Sequence, residues 1–411
     1  MNAILGFWKK SGARASHRRR LAIVLALALP LLGGLAFWGW AARRDDPAAY
    51  FRLKTAVPAS GDALALALYQ SLGVQLSAGH TLTHEPNGRV FDALASRIEA
   101  AKVSVNIVMY IWERGAASER VVSALVTRAR AGVRCRILVD DVGSPDFSEE
   151  VAPPLLAAGC DVRVFRPLSG GEKLARNHRK LVIVDGKAAV TGGFGIRDTW
   201  LGDGVHAESW RDANVSFTGP AVTSAQQAFA ENWQEAGGSL LPAAEFPPPE
   251  ASGSVRAAFV GSSAGVLTRA ERLTQLLISA ATRRLWIANA YFVPSRGVLE
   301  LVKQKARAHV DVRILAPYKN SDSKTAFGAQ HVEYGDLVEA GARVWEYTPS
   351  MMHAKTMIVD DELASIGSIN LDPLSLNELE ENALVVQDRA FADELGRAFV
   401  ADCARSKPYS D

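Results

Sequence analysis

Residues 129–138 read ARAGVRCRIL and residues 306–315 read ARAHVDVRIL, with seven identities in ten positions. The agreement continues on both sides. Upstream, Val103 to Trp112 (VSVNIVMYIW) matches Leu285 to Phe292 (LWIANAYF), each uncharged and rich in β-branched or aromatic residues, as a buried strand requires. Downstream, Ala158-Gly159 matches Ala340-Gly341 and Pro167 matches Pro349, so the offset stays near 180 residues. That length marks a duplicated domain rather than a short-period solenoid. Within the first copy, Ser118 to Arg130 has helical spacing. Cys135 to Val139 reads as a strand ending at Asp140-Asp141, Leu155 to Gly159 as a helix stopped by glycine, and Val162 to Phe165 as a strand. This βαβαβ rhythm predicts an α/β fold of two duplicated halves with mixed, mainly parallel sheets.

The halves are expected at 71–234 and 255–411. Between them lies a Gly/Pro-rich linker, 235–254, containing Pro247-Pro248-Pro249, and a second linker covers 45–70. The chain has 411 residues, 48% hydrophobic and 22% charged, which suits two folded domains and excludes bulk disorder. Its three cysteines, Cys135, Cys160 and Cys403, are too few and too scattered for a disulfide scaffold or a four-cysteine zinc site. They read as inert thiols, with an oxidised pair as the alternative.

Charge and hydropathy set the N-terminus apart. Residues 1–44 hold eight Lys/Arg and no Asp or Glu, which leaves 38 basic against 44 acidic residues in the body, a net of −6. A body of that sign is a poor start for gripping nucleic acid through its phosphates, and no nucleic-acid partner is expected. Leu21 to Ala42 is a 22-residue uncharged stretch, long enough for one transmembrane helix, with Trp38 and Trp40 at its outer end. Six basic residues precede it and two follow. The positive-inside rule therefore predicts a single-pass inner-membrane anchor, with the N-terminus cytoplasmic and the body on the periplasmic side. A cleaved signal peptide is the alternative.

Each half carries the same polar motif. His178-Arg179-Lys180-Leu181-Val182-Ile183-Val184-Asp185 is followed six residues later by Gly192-Gly193. His353-Ala354-Lys355-Thr356-Met357-Ile358-Val359-Asp360 is followed six residues later by Gly367-Ser368-Ile369-Asn370. By chance HxKxxxxD would arise on the order of 0.01 times in such a chain. The apolar run after each histidine predicts a strand, and alternation places His178 with Lys180, and His353 with Lys355, on one face. An imidazole beside a fixed ammonium suits a phosphate. Asp185 and Asp360 belong to the candidate catalytic set as motif members, but their opposite parity and the Asp185-Gly186 turn signal read as structural. Gly193, Ser368 and Asn370 are the candidate phosphate-binding residues, through close backbone approach and amide donors. No metal is expected at His178 or His353: neither has an HxH or HxxxH partner, and each neighbouring lysine would repel a cation. His80, His84, His206, His309 and His331 have no such company and read as ordinary packed or surface residues.

Twin HxKxxxxD motifs in a duplicated α/β frame resemble the phospholipase D superfamily, and within it bacterial cardiolipin synthases. Trp210-Arg211-Asp212, Tyr291-Phe292-Val293-Pro294 and Gly367-Ser368-Ile369-Asn370-Leu371-Asp372 support the resemblance, which covers roughly 75–405. It implies one active site shared by the halves and no cofactor. It implies a two-step phosphodiester exchange, with His178 as nucleophile, His353 as general acid/base, and Lys180, Lys355 and Asn370 on the phosphate oxygens. It also implies a downstream acid orienting each histidine; Asp212 and Glu381 stand in those places, with Glu380 as the fallback for Glu381. One imidazole neutral and one protonated would give a bell-shaped pH profile. The implied function is a membrane-anchored phosphatidyltransferase making cardiolipin from phosphatidylglycerol. Hydrolysis to phosphatidic acid is the alternative, and a nuclease of the same superfamily a further one. Gly195 departs from the pattern by replacing an asparagine, and Leu374 stands where relatives often have arginine. Two further stretches read as loops. Trp200-Leu201 is either a lipid-dipping tip or an ordinary packed loop. Leu168 to Asn177 is an insertion expected at the cleft mouth.

Overall fold

The structure, a computed structural model, describes residues 56–168 and 175–410. The expected span at 21–42 and most of the Leu168–Asn177 insertion lie outside the described residues. Among the described residues no helix is long and apolar enough to cross a membrane.

The first half runs β1 (Ser77–His84), α2 (Arg89–Glu99), β2 (Ser104–Met109), α3 (Ala116–Arg130), β3 (Arg134–Asp140), β4 (Asp161–Phe165), β5 (Leu181–Val184), β6 (Ala188–Gly192), β7 (Asn214–Thr218) and α4 (Ala221–Glu235), after an initial α1 (Gly61–Leu72). The second half repeats it as β8 (Val255–Ser262), α5 (Arg269–Ala280), β9 (Arg284–Asn289), α6 (Arg296–Arg307), β10 (Asp311–Pro317), β11 (Arg343–Tyr347), β12 (Lys355–Val359), β13 (Leu363–Gly367), β14 (Glu381–Gln387) and α7 (Arg389–Cys403), closed by β15 (Ser406–Pro408). The strands form one sheet in the order β15-β11-β10-β9-β12-β13-β14-β8-β1-β7-β6-β5-β2-β3-β4. The order inverts about the β8–β1 pair, so the two halves join edge to edge through their first strands.

The sheet is mixed, as expected, but not mainly parallel. Only β2-β3-β4 and β9-β10-β11 pair in parallel. Every other pairing between the named strands is antiparallel. The reason is local. Asp185 (φ 55°) and Gly186 (φ 62°) form the left-handed turn that sends β5 straight back as β6. Asp360 (φ 50°) does the same between β12 and β13. The βαβ rhythm governs only the strands upstream of each HxKxxxxD motif.

Helices cover both faces. On one, α2 and α3 bury Phe91, Leu94, Val121 and Leu125 against the first half. On the other, Phe229 and Trp233 of α4 and Phe391, Leu395 and Phe399 of α7 share one core with strands of both halves. The two linker readings need correction. Residues 61–72 of the expected first linker are helical, and Leu64, Leu68 and Leu72 pack with Leu273, Leu276 and Leu277 of the second half. Each such burial contributes roughly 2 kcal/mol, enough to hold a segment that composition left unassigned. In the expected exposed stretch 235–254, Glu245 is fully buried and accepts hydrogen bonds from Arg134 Nε and Arg136 Nη1, both at 2.8 Å. A buried carboxylate needs such partners, and here they staple the linker to the first half.

Candidate active site

The two motifs meet at the junction of the halves, and the contacts cross it. Before β5 the backbone of His178 leaves its own ladder. Its N–H donates to Glu380 O at 2.9 Å, and Glu380 N–H donates to Arg176 O at 2.9 Å. The second half mirrors this: His353 N–H donates to Arg211 O at 2.7 Å and Arg211 N–H to Met351 O at 2.8 Å. Each histidine is therefore set by the backbone that carries the other half's acid. The strand expected to hold His178 begins only at Leu181 for the same reason.

The side chains follow the backbone. His178 Nδ1 lies 2.8 Å from Glu381 Oε1, and His353 Nδ1 lies 3.1 Å from Asp212 Oδ2. With Nδ1–H donating to a carboxylate, each Nε2 carries the lone pair. The acid within each half thus serves the histidine of the opposite half. Glu381 also accepts from the hydroxyls of Ser368 and Ser375. Asp212 accepts from Trp200 Nε1 at 2.7 Å and from Ala213 N–H at 2.7 Å. Glu380, the fallback for Glu381, faces away and pairs with Arg179 Nη2 at 3.0 Å.

Both lysines lie at the histidines. Lys180 Nζ donates to His178 O at 2.8 Å and sits 5.2 Å from the centroid of the Tyr110 ring, which meets His178 edge-on. Lys355 Nζ donates to His353 O at 2.6 Å and lies 3.0 Å from His353 Nε2. All four groups are buried: His178 is 7% exposed, His353 4%, Lys180 1% and Lys355 4%. Asn370 is buried beside them with no partner for its Oδ1, while its N–H donates to Ser375 Oγ at 2.8 Å.

Several expected site residues do other work. Asp185 is not brought to the histidines. Its carboxylate accepts from the N–H groups of Lys102, Val103 and Ser104 at 2.7–3.1 Å, capping the start of β2. Asp360 caps Thr282, Arg283 and Arg284 in the same way. Their position on a tight turn points them at backbone donors, so the catalytic listing of both is corrected to a structural one. Gly193 donates its N–H to Ala213 O at 3.4 Å, and a Cβ there would collide with the Asp212 carboxylate. Its smallness lets Asp212 slide beneath His353. Ser368, its counterpart, spends its hydroxyl on Glu381. Both residues therefore support the acids, and the Ser368 backbone also meets His178.

Trp200 corrects the lipid-tip reading. It is fully buried, with its ring 5.1 Å from His353 and its indole on Asp212. The sequence signal was present, a tryptophan twelve residues before the acid, but nothing local said which way it pointed. Arg211 was visible only as part of a supporting segment. Its Nε donates to Asp402 Oδ2 of α7 at 2.8 Å, a buried pair tying the Asp212 segment to the second half.

Electrostatics depart from the expected one-neutral, one-protonated pair. Burial, reinforced by Lys180 and Lys355, holds His178 well below the ordinary imidazole range. Burial and Lys355 lower His353 to about 4 despite the opposing pull of Asp212. Burial thus favours the neutral form of both imidazoles. Burial also lowers Lys180 well below its usual range and Lys355 to about 8, and raises Glu381 to about 8. An anionic phosphodiester would reverse the lysine shifts by supplying the missing countercharge. A pH dependence follows. Lys355 carries its charge below about 8 and loses it above, so kcat/KM should fall as pH rises through that value. Lys355→Arg should move this alkaline limb above pH 10 even where the rate drops, because guanidinium stays protonated. An unmoved limb in that variant would assign the titration to another group.

Comparison with known proteins agrees with this arrangement. The sequence profile described as "Cardiolipin synthase, PLD-like domain" matches residues 94–233 and 275–403. A cardiolipin synthase from Geobacillus kaustophilus is 33% identical over 308 residues, covering 72% of this chain and 60% of the relative. Cardiolipin synthase A from Pseudomonas putida is 32% identical over 321 residues, covering 77% and 67%. The chain thus spans about two thirds or less of the length of these relatives. Among solved structures, phosphatidylserine synthase from Haemophilus influenzae shares the fold with a TM-score of 0.59 at 14% identity, over 84% of this chain and 91% of that one. The duplicated profile match and the identity to these relatives lead to one conclusion: the chain belongs to the cardiolipin synthase, phospholipase D-like family.

Proposed function

We propose that the protein is a phosphatidyltransferase that makes cardiolipin from two molecules of phosphatidylglycerol. The observation that carries this reading is the pair of buried imidazoles at one junction. Each is fixed through Nδ1 by a buried acid from the opposite half and flanked by a lysine, which leaves Nε2 for the substrate. His178 Nε2 attacks phosphorus of the first lipid, forming the P–N bond as the P–O bond to glycerol breaks. His353 enters this step as the imidazolium, its charge held by Asp212 and by the anionic phosphodiester, and gives its Nε2 proton to the departing glycerol, becoming neutral. It then removes the proton from a hydroxyl of the second phosphatidylglycerol, whose oxygen displaces His178 from phosphorus. Atoms and charge balance over the two steps, and no cofactor enters. One feature supports His178 as the nucleophile: Lys355 Nζ contacts the ring nitrogens of His353, where it favours proton release to the leaving alcohol. Lys180, Lys355 and Asn370, through its Nδ2 donors, would hold the phosphate oxygens.

The uncharged stretch 21–42 with its flanking basic residues supports a single-pass anchor in the inner membrane, with the described body on the periplasmic side. Detergent-solubilised full chain incubated with phosphatidylglycerol and read by lipid mass spectrometry tests the activity. Cardiolipin plus glycerol, lost in His178→Ala, is the expected result. Phosphatidic acid as the sole product would make the protein a hydrolase.

A further inference from the structure

We propose that Tyr291 and Asp322 form the subsite for the alcohol head group, recognising its hydrogen-bond donors beside His353. The inference rests on the transferase reading and extends it to specificity. Tyr291 OH donates to both carboxylate oxygens of Asp322, at 2.8 and 2.9 Å, and Asp322 has no other hydrogen-bond partner among the described residues. The segment is fixed at the site. Asn289 stands opposite Lys355 at the end of the β9–β12 ladder, and Tyr291 follows two residues beyond that pair, on the His353 side of it. Asn289 Oδ1 accepts from Tyr291 N–H at 3.2 Å and from Leu371 N–H at 3.0 Å, latching Tyr291 to the loop that carries Asn370.

A site built only for phosphate has no use for an exposed carboxylate. Yet the Asp322 charge reaches His178, His353 and Lys355. A carboxylate is acceptor-only and retains lone pairs after taking one phenolic proton. Its fitting partner is a head group rich in donors. The duplicated frame shows that this feature is not a by-product of the fold. In the first half the phenol at the histidine is Tyr110, which meets the His178 ring edge-on and has no hydrogen bond to a carboxylate among the described residues. The nearby aspartate there, Asp140, is consumed structurally: it accepts from Arg176 Nε at 3.1 Å, Asn177 N–H at 2.8 Å and Val142 N–H at 2.9 Å. Of these two aspartates, Asp322 alone keeps free acceptor capacity, and its charge reaches His353, where the leaving and incoming alcohols exchange protons.

The test compares wild type, Asp322→Asn and Tyr291→Phe on three lipids in vesicles: phosphatidylglycerol, phosphatidylethanolamine and phosphatidylmethanol, whose head group has no donor. The readout is kcat/KM for each donor-bearing lipid relative to phosphatidylmethanol. Asp322→Asn should lower that ratio about tenfold, as expected where a charge-assisted hydrogen bond is lost, and Tyr291→Phe should lower it less. A fall for phosphatidylglycerol identifies hydroxyls as the recognised donors; a fall for phosphatidylethanolamine alone identifies the ammonium. Equal losses on all three lipids would overturn the proposal, leaving Asp322 as a charge that tunes the histidines, and so would unchanged ratios. Should the wild type only hydrolyse lipid, the transferase reading fails by itself, and the same ratios measured on phosphatidic acid release still decide the subsite.

Discussion

Replacing His178 with Gln is expected to lower phosphatidyl transfer by at least about 10⁴-fold, the scale of losing a covalent nucleophile. Glutamine keeps a donor toward Glu381, which lies 2.8 Å from Nδ1 in the wild type. The loss therefore reports chemistry rather than collapse of the buried pair, and an unchanged thermal midpoint would check that. His353→Gln should behave differently. With a phosphatidyl ester of p-nitrophenol, whose leaving group needs no proton, this variant should still form the phosphohistidine. It should then accumulate it, because nothing deprotonates the acceptor. Mass spectrometry of the trapped enzyme should place the phosphatidyl group on His178. Finding it on His353 instead would reverse the roles of the two histidines and leave the fold assignment standing.

The second large effect concerns the acids. Glu381→Gln and Asp212→Asn should each cost about 10⁴-fold, as seen where a carboxamide replaces the carboxylate behind a catalytic histidine and favours the wrong tautomer. The two variants should fail at different steps. Glu381 holds His178, so Glu381→Gln should slow formation of the phosphoenzyme. Asp212 holds His353, so Asp212→Asn should leave that step intact with the p-nitrophenyl ester and stall the second. Rapid-quench measurement of labelled phosphoenzyme separates these outcomes. The opposite pattern, with the phosphatidyl group still trapped on His178, would mean that each acid serves the histidine of its own half, contrary to the geometry.

Much of this was legible in the chain because duplication supplies its own control. One HxKxxxxD is a weak signal; two at matching places in a repeat single out His178, Lys180, His353 and Lys355 from eight histidines and 46 basic residues. Periodicity also located the strands on either side of ARAGVRCRIL and ARAHVDVRIL, since buried strands must be apolar and β-branched. Asp185-Gly186 was readable as a turn, and taking that turn fully into account would have predicted the antiparallel pairs that dominate the sheet. Asp212 and Glu381 were identified by resemblance, with Glu380 left as a competitor. The choice between adjacent carboxylates depends on a strand's parity relative to a partner strand that the local sequence does not name.

The sequence by itself therefore determined the repeat, the strand positions and the four groups that carry the chemistry, because each is encoded in local pattern and composition. The tertiary structure alone decided the partnerships. Asp212 reaches across to His353 and Glu381 to His178, Trp200 turns inward beneath His353, and Asp322 faces both histidines while Asp140 does not. These contacts join residues 141 and 203 positions apart. They exist because the β8–β1 pairing fuses two sheets into one and brings the ends of distant strands to a common junction. Long-range pairing of that kind leaves no periodicity to read in either segment.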